Sequence, residues 1–176
     1  KGDKVTDVPL FKLGGQGAFA AELERALLDG RIDLAVHSLK DLPHSMPQEL
    51  CLAAVSARED FRDALISKSA ETFENLPSGA RIGTSSLRRK AQLIRLRADL
   101  QFLDCRGNID TRLRKLETGG YDAIIVAAAG LKRLNLTDRI TEVFSIEKMI
   151  PAAGQGMLAI QCRSADFDLI ELLKKN

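Results

Sequence analysis

A short run of hydroxyl and guanidinium side chains, GTSSLRR at 83–89, is the sharpest chemical signal in the sequence. A strand pattern at 80–82 precedes it and a helical pattern runs over about 86–97, so the hydroxyls stand where the helix begins. The first N–H groups of a helix lack internal partners and attract anions together with the helix dipole. Arginines added there favour a carboxylate or phosphate ligand. The alternative is an ordinary serine N-cap followed by surface arginines.

Two further turns repeat this combination of glycine and basic side chains after a predicted strand. The pattern at 101–103 leads into RGN at 106–108 and then Arg112, and the pattern at 123–127 leads into GLKR at 130–133. Neighbouring strand ends of an open parallel sheet face one crevice, so we expect these turns to converge. Several cations around one crevice fit a ligand that bears several carboxylates. The asparagine of RGN can alternatively be only a helix cap.

The basic side chains are concentrated, although the whole chain has a net charge of only +2. Residues 81–115 hold ten basic and three acidic side chains, a net charge of +7. Such a run can be a solvated helix face or a pocket for an anion with several negative groups. Tryptophan is absent and there is one tyrosine, so few aromatic rings are available to stack nucleic-acid bases. We therefore expect no nucleic-acid partner.

A second candidate for chemistry is the pair Lys40-Asp41, which follows a strand pattern at 32–36. A carboxylate at a cleft can transfer a proton and can stabilise a cation that develops on a substrate. The same pair also occurs in plain surface turns. The segment GGQG at 14–17 resembles a phosphate loop but lacks its lysine-serine ending, and Gln155 lies between two glycines where its amide can reach a ligand.

The elements that position these residues form an α/β pattern. Strand and helix patterns alternate from residue 80 onward, which indicates parallel strands covered by helices. Helices are predicted at 18–28, about 109–117, 131–134 and 167–174. Two chain crossings, near 56–62 and 151–156, predict two lobes with a ligand cleft between them. The predicted lobes are 1–56 with 157–176 (lobe 1) and 62–150 (lobe 2).

Length and composition limit the class of protein. The 176 residues are 45% hydrophobic, enough for one ordinary domain or two small ones. No stretch approaches the roughly 18 apolar residues of a membrane span, so no membrane partner is predicted. Cys51, Cys105 and Cys162 lack metal-ligand spacing, so no metal is predicted. Their odd number favours reduced thiols in a cytoplasmic protein over a disulfide scaffold.

Five segments together resemble the porphobilinogen deaminase (hydroxymethylbilane synthase) family, in that family's order and spacing. They are VHSLKDLP at 36–43, GTSSLRR at 83–89, RGNIDTRL at 106–113, YDAIIVAAAGLKRL at 121–134 and PAAGQGMLAI at 151–160. The resemblance covers essentially the whole chain. It implies two periplasmic-binding-protein-like α/β lobes with mainly parallel sheets and a cleft, plus a smaller third domain. It also implies a transferase of tetrapyrrole (haem) biosynthesis that joins four porphobilinogen units head to tail, releases ammonia and yields hydroxymethylbilane.

The resemblance also implies a role for each matching residue. Asp41 becomes the catalytic carboxylate, which assists the loss of ammonia and stabilises the cationic pyrrole. The residues implied to bind the carboxylates of cofactor and substrate are Lys40, Ser86, Arg88, Arg89, Arg106, Arg112 and Arg133. The supporting residues are Lys12, Thr84, Ser85, Gly107, Asn108 and Gln155.

Departures from the family pattern set further expectations. The family's amino-terminal strand has no counterpart before Lys1. The family's third domain, whose Gly-Gly-Cys cysteine tethers the dipyrromethane cofactor, has no counterpart in this sequence either. Cys51, Cys105 and Cys162 do not stand in that context, and Gln16 replaces a lysine found in many members. We therefore expect a monomeric piece of a longer enzyme, inactive alone. The competing interpretation is a non-catalytic two-lobed binding protein for a polycarboxylate solute.

Overall fold

The computed structural model describes residues 18–174 of the chain, which divide into two compact units. We call residues 60–152 the continuous unit, and residues 18–59 with 153–174 the discontinuous unit. The helices and strands in chain order are α1 (Ala18–Leu28), β1 (Leu34–Ser38), β2 (Leu50–Val55), β3 (Asp63–Ser67), β4 (Arg81–Gly83), α2 (Leu87–Leu96), β5 (Gln101–Leu103), α3 (Ile109–Glu117), β6 (Ala123–Ala127), α4 (Ala128–Arg133), β7 (Glu142–Val143), β8 (Leu158–Arg163) and α5 (Phe167–Lys174).

The continuous unit is built on a five-stranded sheet in the order β5-β4-β6-β3-β7. Strand β4 pairs in parallel with β5 and β6, whereas β3 pairs antiparallel with β6 and β7. Ile124 and Ile125 of β6 are both fully buried but belong to different core clusters, because successive side chains point to opposite faces. Leu93 of α2 packs in one cluster and Leu113 of α3 in the other. Both faces of the sheet are therefore covered.

The discontinuous unit contains a smaller, three-stranded sheet in the order β1-β8-β2, with antiparallel pairing throughout. Leu27 of α1 packs with Ala35 and Leu50 as a buried apolar cluster. Gln161 of the central strand is fully buried and its amide contacts both His37 and Glu24, at 3.0 Å in each case. Within residues 18–174, no helix is long and apolar enough to cross a lipid bilayer.

The expectation of mainly parallel sheets is corrected, although the α/β alternation from β4 to α4 is as predicted. Among the described strands, only the β4–β5 and β4–β6 pairs are parallel. The three central residues of β3, Ala64, Leu65 and Ile66, are all buried and form a continuous apolar run. Such a run contains no information about strand direction. The predicted helix at 131–134 also begins earlier, at Ala128, directly after β6.

Candidate functional site

Three turns meet at one edge of the continuous unit's sheet, because β4, β5 and β6 are parallel and end there. We call this the strand-end edge. The Thr84 N–H after β4 donates to the Leu103 carbonyl at the end of β5, at 2.8 Å. A Cβ at Gly83 would lie 3.0 Å from Cys105 Cβ, and one at Gly130 would lie 2.6 Å from Ile109. The glycines therefore allow the close approach of the three turns that the sequence predicted.

The strand-end edge also contains a buried carboxylate, that of Asp63, which the sequence did not predict. Asp63 is the first residue of β3, lies opposite Ala127 in antiparallel register and is fully buried. Its Oδ1 accepts hydrogen bonds from Arg89 Nε at 3.0 Å and Nη2 at 2.7 Å, and its Oδ2 lies 2.8 Å from Arg88 Nη1. Arg89 Nη1 also donates to the Ile125 carbonyl at 2.8 Å. Arg89 is thus anchored within the protein, and its direct binding of a ligand stays a prediction.

A third guanidinium, that of Arg112, acts electrostatically on the Asp63–Arg89 ion pair. Burial lowers the pKa of Arg89, Asp63 opposes that change, and the positive charges of Arg88 and Arg112 lower the pKa further. These four side chains form what we call the arginine cluster. It sets three guanidinium groups against the single carboxylate of Asp63 and therefore carries a net positive charge. Such a cluster attracts anions with several negative groups.

The three hydroxyls of the first turn differ in their partners. Ser86 caps α2 by accepting from the Arg89 N–H at 3.4 Å, and Thr84 Oγ1 accepts from the Ser86 N–H at 3.2 Å. The Ser85 hydroxyl is buried and has no hydrogen-bond partner among the described residues. A buried hydroxyl without a partner is costly unless a ligand or water supplies one. Ser85 is therefore the hydroxyl best suited to meet a ligand.

The second turn is fixed by its glycine and its cap. Gly107 has φ +109°, and a Cβ there would lie 2.6 Å from Thr111 Cγ2, so a side chain is excluded. Asn108 caps α3, because its side-chain oxygen accepts a hydrogen bond from the Thr111 N–H at 2.9 Å. The Asn108 side chain therefore acts as a helix cap, which was the alternative interpretation of the RGN segment. Arg112 Nε donates to the Gly107 carbonyl at 2.7 Å. Arg106 is half-buried beside this turn.

The third turn and the neighbouring tyrosine complete the edge. Arg133, in the last turn of α4, is exposed. Tyr121, two residues before β6, donates its hydroxyl hydrogen to the Asp104 carbonyl. This hydrogen bond connects the start of β6 to the turn after β5. Burial, assisted by Cys105, raises the pKa of Tyr121 to about 12. Burial also raises the pKa of the Cys105 thiol.

The Lys40-Asp41 pair lies in the discontinuous unit, in a short 3-10 turn directly after β1. Lys40 Nζ donates to Gln155 Oε1 at 3.2 Å, and Arg58 Nε donates to the Gln155 carbonyl at 3.0 Å. Gln155 is buried, so its side-chain amide fixes the position of the Lys40 ammonium group. Asp41 is exposed. The turn presents a carboxylate to solvent beside an oriented ammonium group.

A glycine-rich segment explains how this turn is held. A Cβ at Gly154 would lie 3.0 Å from Leu39 Cγ and 3.3 Å from the Lys40 backbone nitrogen. The Leu39 N–H donates to the Met157 carbonyl at 3.0 Å. The glycine therefore permits the close contact that brings Gln155 under Lys40. Lys12, Gln16 and the segment at 14–17 lie outside the described residues.

Comparison with solved structures defines the fold class. An ABC-transporter periplasmic substrate-binding protein from Coxiella burnetii aligns with a TM-score of 0.52 at 15% identity, covering 86% of this chain and 73% of that one. This similarity concerns the fold alone. It confirms the predicted two-lobed, periplasmic-binding-protein-like α/β class.

Comparison of sequences then identifies the family. The family model described as "Porphobilinogen deaminase, dipyromethane cofactor binding domain" matches residues 1–171. Porphobilinogen deaminases from Syntrophotalea carbinolica and Geobacillus sp. are 54% and 56% identical over 98% and 99% of this chain. The chain belongs to the porphobilinogen deaminase family. It spans 55% and 57% of the length of these two relatives.

Proposed function

We propose that the polypeptide carrying this sequence is a porphobilinogen deaminase. It condenses four porphobilinogen units head to tail, releases one ammonia at each addition and yields hydroxymethylbilane for tetrapyrrole biosynthesis. Family membership supports this reaction. The observation that carries the proposal for this chain is the arginine cluster around buried Asp63, in the same turn as the Ser85 hydroxyl, which has no hydrogen-bond partner within residues 18–174.

The strand-end edge binds the substrate's carboxylates. Porphobilinogen bears an acetate and a propionate group, so the growing chain is a polycarboxylate. Guanidinium groups bind carboxylates with paired, charge-assisted hydrogen bonds, which are stronger than neutral ones. We assign carboxylate binding to Arg88, Arg106, Arg112 and Arg133, with Arg89 holding Arg88 in register through Asp63. Ser85 donates a further hydrogen bond, while Thr84, Ser86, Gly107 and Asn108 shape the two turns.

Asp41 is the proposed catalytic carboxylate. Loss of ammonia from porphobilinogen leaves a positively charged pyrrole species, and a nearby carboxylate lowers the energy of that charge. The same carboxylate can transfer the proton that the leaving amine requires. Its exposure allows a substrate to reach it, and Lys40, held by Gln155, binds a carboxylate of the same substrate.

The donors of the strand-end edge also fit the cofactor of the family. A dipyrromethane bears carboxylate side chains, and guanidinium and hydroxyl donors are suited to such groups. We propose that Arg88, Arg112 and Ser85 hold it. When bound, the dipyrromethane supplies the pyrrole terminus to which the first substrate unit is joined. Its covalent tether is a cysteine other than the three present, since Cys105 and Cys162 are fully buried and Cys51 is half-buried in a sheet.

The intact mass of the polypeptide before and after addition of porphobilinogen tests this function. Stepwise gains of whole pyrrole units, with release of ammonia, are the expected result. Saturable binding of porphobilinogen without any mass gain would instead indicate the non-catalytic binding protein. We further propose that the protein is a cytoplasmic monomer and that the 176-residue chain alone does not sustain turnover, because none of its cysteines has the tethering context.

A further inference from the structure

Two of the three cysteines are brought together by the sheet of the discontinuous unit. Cys51 of β2 and Cys162 of β8 are register partners, and their Sγ atoms lie 3.9 Å apart although 111 residues separate them in sequence. Both thiols are free. Cys105 belongs to the continuous unit and lies in one of its core clusters. No sequence pattern indicates this pair, because only strand register creates it.

The register places the two backbones at a separation that a disulfide can span. The Ser164 N–H donates to the Glu49 carbonyl at 2.7 Å, so Glu49 and Ser164 form a hydrogen-bonded antiparallel pair. Pair types alternate along a ladder, so Cys51 and Cys162, two positions further on, are of the same type. Residues in such pairs have Cα atoms about 5.5 Å apart. That separation falls within the range of disulfides, about 4.4–6.8 Å.

The two thiols differ in accessibility, which sets the order of their reactions. Cys51 is half-buried, whereas Cys162 is fully buried. Burial, assisted by Cys51 and the charge of Asp166 and opposed by Arg163, raises the pKa of the Cys162 thiol to about 11. Since the thiolate is the nucleophile, Cys51 reacts first with a reagent from solution, and Cys162 reacts only with a partner already in contact with it.

We propose that Cys51 and Cys162 form a dithiol redox site, which closes to a cross-strand disulfide by exchange with a small-molecule disulfide. In the first step the Cys51 thiolate attacks one sulfur of that disulfide, a protein mixed disulfide forms, and one small thiolate leaves. In the second step Cys162 loses its proton and attacks Cys51 Sγ, the new S–S bond forms, and the second small thiolate leaves. Two protein thiols are oxidised and one small disulfide is reduced to two thiols.

The position of this site connects it to the Lys40-Asp41 turn. Strand β8 continues directly from the segment that contains Gln155, and β2 is followed by Arg58, which donates to the Gln155 carbonyl. Oxidation would therefore cross-link the two strands from which these residues extend. The proposal does not depend on the proposed deaminase function, because it concerns thiol chemistry alone.

Equilibration of the 176-residue chain in glutathione buffers of defined ratio tests the site. After quenching with an alkylating reagent, the expected product has lost two hydrogens and contains one cross-linked Cys51–Cys162 peptide, with Cys105 still reduced. Half-oxidation is expected at a ratio of oxidised to reduced glutathione about tenfold lower than for the same chain in urea, because folding holds the thiols together. A matched variant, Cys105→Ser, is expected to behave like the parent chain.

Single variants separate the two steps. Cys162→Ser should accumulate a glutathione mixed disulfide on Cys51, whereas Cys51→Ser should leave Cys162 unmodified in the folded chain. Circular dichroism checks that each variant is folded. If either variant is unfolded, peptide mapping of the oxidised parent chain identifies which cysteines form the disulfide. Oxidation of the folded parent without a Cys51–Cys162 peptide, or at the same glutathione ratio as the unfolded chain, would overturn the proposal.

Discussion

Asp63 and Arg89 form a buried ion pair in which one carboxylate oxygen receives two guanidinium N–H groups, at 3.0 and 2.7 Å. The second oxygen pairs with Arg88, so one anion fixes two consecutive arginines of the GTSSLRR turn. Antiparallel β3 makes this possible, because its first residue reaches the edge where the parallel strands end. A binding surface built of arginines is preorganised when a buried partner restricts them.

Replacement of Asp63 by asparagine should destabilise the protein strongly. The change keeps the volume but leaves Arg89 buried without its counter-charge, and breaking a buried pair in this way costs about 3–5 kcal/mol. Asp122→Asn is the matched control, because Asp122 pairs with Arg81 with both side chains 41% exposed. Such exposed pairs contribute about 0–1 kcal/mol. Urea unfolding of both variants measures the difference, and equal losses of unfolding free energy would contradict the anchoring role of Asp63.

The neighbouring serines Ser85 and Ser86 should separate binding from stability. Ser86→Ala removes the cap of α2 and should lower the free energy of unfolding by about 1 kcal/mol. Ser85→Ala removes a buried hydroxyl without a described partner, so the free energy of unfolding should not fall and should rise by up to about 1 kcal/mol. Porphobilinogen binding by this variant should weaken about three- to tenfold in titration calorimetry. Unchanged affinity in Ser85→Ala would remove Ser85 from the site.

The alkaline titration of Tyr121 offers a clean spectroscopic test, since it is the only tyrosine and tryptophan is absent. Burial raises its pKa from 10.0 to about 12 in the folded protein. The folded state therefore favours the neutral phenol. The stability from this group is complete below pH 10 and is lost as the pH rises to about 12. Phenolate absorbance should titrate near pH 12 when folded and near pH 10 in urea.

A variant checks the source of that pH dependence. Tyr121→Phe removes both the ionisation and the hydrogen bond to the Asp104 carbonyl. Its stability should be about 1 kcal/mol lower at neutral pH and should fall less steeply than that of the parent above pH 10. A parent protein whose folded phenol titrates at the unfolded value would contradict the burial of this side chain.

Much of the fold was predictable from hydrophobic periodicity. The bounds of α1, α3 and α5 agree with the prediction, because each helix has an apolar stripe and a recognisable end. Strand direction was not predictable, since β3 and β6 are buried on both faces and read as apolar runs in either direction. Strand β7 has two residues, too few for any period to be visible.

The candidate site was predictable only where its hydroxyl and guanidinium side chains follow a glycine turn. Glycine, hydroxyl and arginine patterns identified the strand-end edge, whereas Asp63 begins an apolar strand and lacks a motif. Its signal was indirect: a carboxylate at the start of a buried run must find a partner, because aspartates are almost never fully buried unless they are paired. The contact between Cys51 and Cys162 had no sequence signal at all, since a one-residue change of register would separate them.

The most direct test of the central claim is porphobilinogen turnover by the polypeptide that carries this sequence, with Asp41→Asn compared with Asp29→Asn. Both aspartates are exposed, so neither change should alter the free energy of unfolding by more than about 0.5 kcal/mol. We expect Asp41→Asn to lower the rate of ammonia release about 10²- to 10⁴-fold while Asp29→Asn retains the parent rate. Equal rates of hydroxymethylbilane formation in the parent and Asp41→Asn would contradict the proposal that the Lys40-Asp41 turn carries the chemistry.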